Sequence, residues 1–240
     1  VVRIGALLLT LCACMPPTLA GESPTAEHRS TLANLFPESD LAVLAKTLPA
    51  DREVSFRVRE PRGRASADVF IFISANDSGE MPDAWVTVMD ERRLMWIAAD
   101  GYGNSRPTAE RVVAAIMAEK LAERLRPTDA PRIWIAGFSG GGRVASHCVI
   151  SFARYFDGAV FMGGADFVKP PKPPASILES RRLVFLTGSD DFNRREMKSV
   201  AGRYGKAGVT QLLLIDQPGF GHELASPEQL SRAIEFLQAR

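Results

Sequence analysis

Three cysteines are too few for a disulfide framework, and two of them, Cys12 and Cys14, lie near the start of the chain. Cys148 stands alone in the remainder, so no intramolecular bridge can form there. Its neighbours Val144, Ala145 and Val149 mark it as a buried mid-helix thiol rather than a nucleophile. Neither sign of charge is in excess: 29 Lys and Arg face 28 Asp and Glu, and no long basic run breaks the balance. That excludes the electrostatic footprint of a nucleic-acid binder. The apolar run from Ile4 to Leu11 is too short to span a bilayer. There is no internal repeat, and low complexity is confined to Lys169-Pro-Pro-Lys-Pro-Pro174, expected to be an extended surface connection. Histidine is scarce as well, with three in the whole chain.

What is present is the composition of an ordinary globular protein: 240 residues, 46% hydrophobic and 24% charged. At this length one domain can bury a substantial core without disulfide or metal. Residues 1–20 have the layout of an export signal, with Arg3, the apolar run, then small residues and prolines. Thr18-Leu-Ala20 before Gly21 fits ordinary signal cleavage, whereas Leu11-Cys-Ala-Cys14 resembles a lipoprotein box with Cys14 as the lipidated residue. The expected location is therefore periplasmic, secreted or lipid-anchored, with membrane contact only through Cys14. Residues 21–51 read as a leading segment or linker with a short helix near Leu41 to Leu48, and residues 52–240 as the folded domain.

From Arg52 onward strands and helices alternate. Val54, Phe56 and Val58 alternate with polar neighbours like a half-buried strand, while Asp68 to Ser74 is a continuous apolar run typical of a fully buried one. Further strands are expected at 94–99, 132–136, 159–162, 183–187 and 211–215, and helices at 107–126, 139–153, 194–207 and 227–239. Ser226 and Gln229 have capping-box spacing at the start of the last helix. The fold class is α/β: a mostly parallel central sheet with helices on both faces and no large cap. The first two of these strands are expected to form an antiparallel hairpin at one edge.

The chemistry-bearing stretch is Arg132-Ile-Trp-Ile-Ala-Gly-Phe-Ser-Gly-Gly-Gly-Arg143, in which Gly137 to Gly141 match G-x-S-x-G directly between a strand and a helix. A sharp turn there strains the backbone of Ser139, lifts its hydroxyl clear of the sheet and aims the Gly140 amide at the reaction centre as an oxyanion donor. A serine nucleophile needs a base, and histidine is the usual one. His28 belongs to the leading segment, and His147 lies along the same helix as Ser139, about 12 Å away at 1.5 Å per residue. His222 remains, in a Gly-rich loop between the last strand and the last helix. A carboxylate to orient it should end an intervening strand. Asp191 is preferred over the adjacent Asp190, because successive side chains on an extended loop point in opposite directions, and Asp166 is a distant third choice.

Ser139, Asp191 and His222, in that order on a βα alternation, resemble the α/β-hydrolase superfamily. More narrowly, the 132–143 stretch, Gly163-Gly164 and Thr187-Gly-Ser-Asp-Asp-Phe-Asn193 are similar to secreted polyhydroxybutyrate-depolymerase-like and feruloyl-type esterases. The resemblance runs from about Phe56 to the C-terminus. It implies an exported serine esterase acting through an acyl-enzyme, with no metal or organic cofactor and a small-molecule or polymeric ester as substrate. A serine peptidase on the same fold and a catalytically inert exported binding protein are the alternatives. The family commonly carries His-Gly after the third strand, where this chain reads Ile73-Ser-Ala-Asn-Asp-Ser-Gly79. A backbone amide does not depend on side-chain identity, so the Ala75 amide is the expected second oxyanion donor. In Asp100-Gly-Tyr-Gly-Asn-Ser105, Tyr102 and Asn104 are expected to line the substrate pocket, at the sheet edge where ligands bind.

Overall fold

The computed structural model describes residues 24–63, 68–126, 131–169 and 179–239. The expected export signal, Cys14, and most of the proline-rich connection lie outside the described residues.

Eight strands form one sheet: β1 (Ala26–Ser30), β2 (Val54–Arg59), β3 (Asp68–Ile73), β4 (Leu94–Ala99), β5 (Ile133–Phe138), β6 (Gly158–Met162), β7 (Arg182–Gly188) and β8 (Gln211–Gln217). Their spatial order is β1-β2-β4-β3-β5-β6-β7-β8. All neighbours from β4 to β8 run parallel, whereas β2 pairs antiparallel with β4 and β1 antiparallel with β2.

The middle of the sheet explains its own sequence. In β3 the side chains of Val69, Ile71 and Ile73 join one core while Phe70 and Phe72 join the other, so both faces are dry and the strand reads as an unbroken apolar run. The first core is closed by α1 (Leu32–Leu35), α4 (Thr108–Leu125), α5 (Gly140–Ser151) and α6 (Arg194–Lys206). The second is closed by α3 (Val86–Glu91) and α7 (Pro227–Gln238). The remaining helix, α2 (Glu38–Leu44), has no fully buried residue and lies on the outside.

The antiparallel edge is present, but its strands are β1 and β2 rather than β2 and β3. β4 separates the latter two, because a strand apolar on both faces belongs inside the sheet and a half-buried one at its rim. The leading segment thus supplies the edge strand. Its residues Ala26, Glu27 and Arg29 are exposed, so β1 carries no hydrophobic alternation to announce it. The 3-10 turn Asp83–Trp85 and α3 were likewise not expected from the sequence.

Two buried indoles anchor loops at the carboxyl ends of the strands. Trp96 Nε1 donates to the Gly79 carbonyl at 3.0 Å, and Trp85 Nε1 to the Ala225 carbonyl at 2.8 Å. The capping box read from the sequence forms, with Gln229 N–H donating to Ser226 Oγ and Ser226 N–H to Gln229 Oε1. These contacts hold the segment after β3 and the segment before α7 in place.

One buried group works against stability. Glu119 on α4 is 2% exposed, and its Oε2 has no hydrogen-bond partner among the described residues. Burial, with the Glu123 carboxylate adding to it, pushes its pKa up from 4.5 to about 8. Lys120 lies 3.6 Å from it but is held more closely, at 2.6 Å, by Glu123. The folded protein therefore keeps a proton that the unfolded chain has lost, and stability falls as pH rises between 4.5 and about 8. Glu119→Gln should flatten this slope and raise stability at pH 8 by on the order of 3 kcal/mol, read from urea unfolding at several pH values.

Candidate active site

The site stands at the carboxyl edge of the sheet, where β5 turns into α5. Ser139, at this junction, has φ 54° and ψ −119°, a conformation that side chains other than glycine adopt only under strain. The fold holds it there from both sides: its N–H donates to the Met162 carbonyl at 2.8 Å, and its carbonyl accepts from Gly142 N–H at 3.1 Å. A Cβ at Gly137 would collide with the Gly141 backbone, and one at Gly141 with the Ile73 carbonyl. The glycines of the motif are thus required by backbone approach, as its spacing implied.

His222 reaches Ser139 from the loop between β8 and α7. Its Nε2 lies 3.0 Å from Ser139 Oγ and its Nδ1 lies 2.9 Å from Asp191 Oδ1. Asp191 follows β7 and is buried. Its carboxylate also accepts Thr187 Oγ1–H at 2.8 Å and the Asn193 N–H at 2.9 Å. These contacts leave the oxygen that faces His222 with little freedom to turn. Asp190 points elsewhere, exposed and bonded to Ser189. Asp166 pairs with Arg143 at 2.8 Å and His147 at 3.4 Å, forming a separate polar cluster that holds its carboxyl below the usual range, chiefly through the His147 hydrogen bond. His28 lies in edge strand β1, opposite Phe56. Cys148 is fully buried, and burial pushes its thiol pKa strongly up.

Neither the Gly140 N–H nor the Ala75 N–H donates a hydrogen bond among the described residues. Both are free to meet a third atom. Ala75 lines a cleft of about 640 Å3 together with Phe72, Ser74, Met81, Phe138 and Leu224. Asn104 is not among the residues lining this cleft; its N–H donates to the Ala75 carbonyl at 2.9 Å, and its side-chain amide packs against Gly140. Tyr102 does not reach that cleft. It is 8% exposed and packed in the core against the α4 side.

Several residues around the site fall in or near stretches quoted from the sequence but were given no role of their own there. The His222 ring lies between two phenylalanines, Phe138 at 5.0 Å and Phe192 at 4.1 Å between centroids. Phe192 is 76% exposed, unusual for so large an apolar side chain. Gly163, with φ 60°, lets the backbone pass so close that an added Cβ would lie 3.0 Å from the imidazole. Thr187 and Asn193 fall within the quoted 187–193 stretch, but only the fold shows that they grip the Asp191 carboxylate.

No family model matches the chain, and no curated protein sequence matches it. Its shape, however, matches many solved structures. The S-formylglutathione hydrolase FrmB of Staphylococcus aureus superposes with a TM-score of 0.60 at 14% identity, covering 90% of this chain and 99% of that one. A putative dienelactone hydrolase from Klebsiella pneumoniae gives 0.59 at 14% identity, covering 90% and 100%. Est1E from Butyrivibrio proteoclasticus gives 0.54 at 12% identity, covering 76% and 92%. The chain has the α/β-hydrolase fold.

Proposed function

We propose that the protein is a serine hydrolase that cleaves carboxylic esters, with Ser139 as nucleophile, His222 as general base and acid, and Asp191 as the carboxylate that orients the imidazole. The observation that carries this reading is the continuous chain of contacts, 3.0 Å from Ser139 Oγ to His222 Nε2 and 2.9 Å from His222 Nδ1 to Asp191 Oδ1. Both distances are within direct proton-transfer reach. The shared fold with proteins named as hydrolases supports it.

In the first step Ser139 Oγ bonds to the ester carbonyl carbon while its proton passes to His222 Nε2. The carbonyl oxygen becomes an oxyanion and takes the Gly140 and Ala75 N–H groups. Collapse breaks the bond to the leaving oxygen, which receives the proton from Nε2 and departs as an alcohol. Water, giving a proton to the same imidazole, then attacks the acyl-enzyme; collapse breaks the bond to Ser139 Oγ, which takes that proton back, and the acid is released. The Asp191 carboxylate, faced by Nδ1–H, stabilises the imidazolium at both stages. The acyl group fits the cleft walled by Phe72, Met81, Phe138 and Leu224, since Ala75 at its edge receives the oxyanion. Export is part of the proposal on the strength of residues 1–20 alone, and the mass of the mature N-terminus tests it.

Paired substrates test the reaction type. An aryl butyrate should turn over with kcat/KM of about 10^4 per molar per second or more, and the matching anilide at least about 100-fold more slowly. Equal rates on both would make the protein an amidase, and no turnover of either would remove the hydrolase reading.

A further inference from the structure

Arg111, one turn into α4, is 4% exposed, and no carboxylate lies within ion-pair distance of it among the described residues. A buried guanidinium without a paired carboxylate is costly, and burial lowers its pKa from the usual arginine value, against a smaller opposing effect of the more distant Asp77 carboxylate. Its donors go instead to three backbone carbonyls: Nη2 to Ser74 at 2.8 Å, Nε to Tyr102 at 3.0 Å and Nη1 to Gly140 at 3.4 Å. These carbonyls belong to the segments that leave β3, β4 and β5, so one side chain ties together three segments at the site.

The Ser74 contact has a directional consequence. The Ser74 carbonyl and the Ala75 N–H are the two ends of one planar trans peptide and point in opposite directions. A cation that draws the carbonyl inward therefore turns the N–H outward, toward the cleft that Ala75 lines. The Asn104 N–H holds the next carbonyl, that of Ala75, so the peptide is fixed on both sides. A positive charge behind the peptide, in a dry interior, also adds to the field felt by an oxyanion in front of it.

We propose that Arg111 is a positioning residue of the oxyanion hole, aiming the Ala75 N–H and lending its buried charge to the tetrahedral intermediate. This role rests on the hydrolase reading given above.

The test compares wild type, Arg111→Gln and Arg111→Lys in three measurements: steady-state hydrolysis of an aryl acetate, inhibition by an alkyl trifluoromethyl ketone whose hemiketal oxygen would occupy the hole, and inhibition by the corresponding alcohol, which makes no oxyanion. For Arg111→Gln, kcat should fall about 100-fold with KM within about threefold, and the ketone should bind about 100-fold more weakly. The alcohol should bind as before. Arg111→Lys, which keeps the charge with fewer donors, should recover about tenfold of the loss. A folded Arg111→Gln protein with kcat within about threefold of wild type overturns the proposal. So does an equal weakening of ketone and alcohol, which marks Arg111 as a staple of the loops only. If Arg111→Gln does not fold, the lysine variant decides: parallel tenfold losses in kcat and ketone binding support the proposal, and unchanged values overturn it. A wild-type protein inert to both ester and ketone instead refutes the hydrolase reading, and this inference with it.

Discussion

Ser139→Ala should lower kcat for ester hydrolysis by about 10^6-fold, leaving KM near its wild-type value. The size of the effect follows from the absence of a substitute. Cys148 is fully buried, and the hydroxyls of Thr187 and Ser74 are committed to Asp191 and Asn76. What survives should be the weak rate supported by binding and the oxyanion donors alone. The same position carries a second expectation, because alanine keeps the strain of φ 54° and glycine does not. Ser139→Gly should be as inactive as Ser139→Ala yet more stable by about 1 kcal/mol, seen as a higher melting temperature. If Ser139→Ala retained kcat within tenfold of wild type, the nucleophile would lie elsewhere.

Asp191→Asn should cost about 10^4-fold in kcat, whereas Asp190→Asn should stay within about twofold. The one oxygen of an amide can replace only one of the two carboxylate oxygens: at the Oδ2 position it keeps the Thr187 Oγ1–H bond, and the NH2 group then takes the Oδ1 position, giving up the bond from the Asn193 N–H. That NH2 group faces Nδ1, which fixes the wrong tautomer, and the charge that stabilises the imidazolium is gone. The Asp190 carboxylate bonds only to the adjacent Ser189 among the described residues, and its N–H bond to the Phe220 carbonyl is a backbone contact that asparagine keeps, so neutralising it leaves the imidazole as it was. Equal losses from the two variants would assign the effect to loop geometry rather than to orientation of His222.

The parts of this arrangement that were legible in the sequence are those written in local pattern. β3 announces itself because burial on both faces demands an unbroken apolar run, and the turn at Ser139 because close backbone approach demands glycine at positions 137 and 141. Asp191 was preferred over Asp190 on side-chain alternation; Asp191 Oδ1 lies 2.9 Å from His222 Nδ1, and the Asp190 carboxylate accepts from Ser189. Features that depend on distant partners were not legible. β1 is a strand only because β2 offers it an edge, and its exposed polar residues carry no strand signal. Tyr102 and Asn104 lie in a loop at the correct edge of the sheet, but neither lines the cleft: the Tyr102 ring is buried in the core and the Asn104 amide packs against Gly140. Arg111 sits in a helix whose pattern identifies its apolar face, and nothing local reveals that its guanidinium spans three loops. Phe192 is similar: beside Asp191 in sequence it carries no separate signal, and in space it lies against the imidazole.

The most direct measurement is peptide mapping by mass spectrometry after reaction with a fluorophosphonate, an agent that phosphonylates a serine only where a neighbouring base activates it and an oxyanion site receives the P–O oxygen. The account predicts one stoichiometric adduct, on Ser139, formed in the wild-type protein and absent when His222 is replaced by alanine. An unmodified Ser139 in folded protein, or an adduct on another residue, would contradict it.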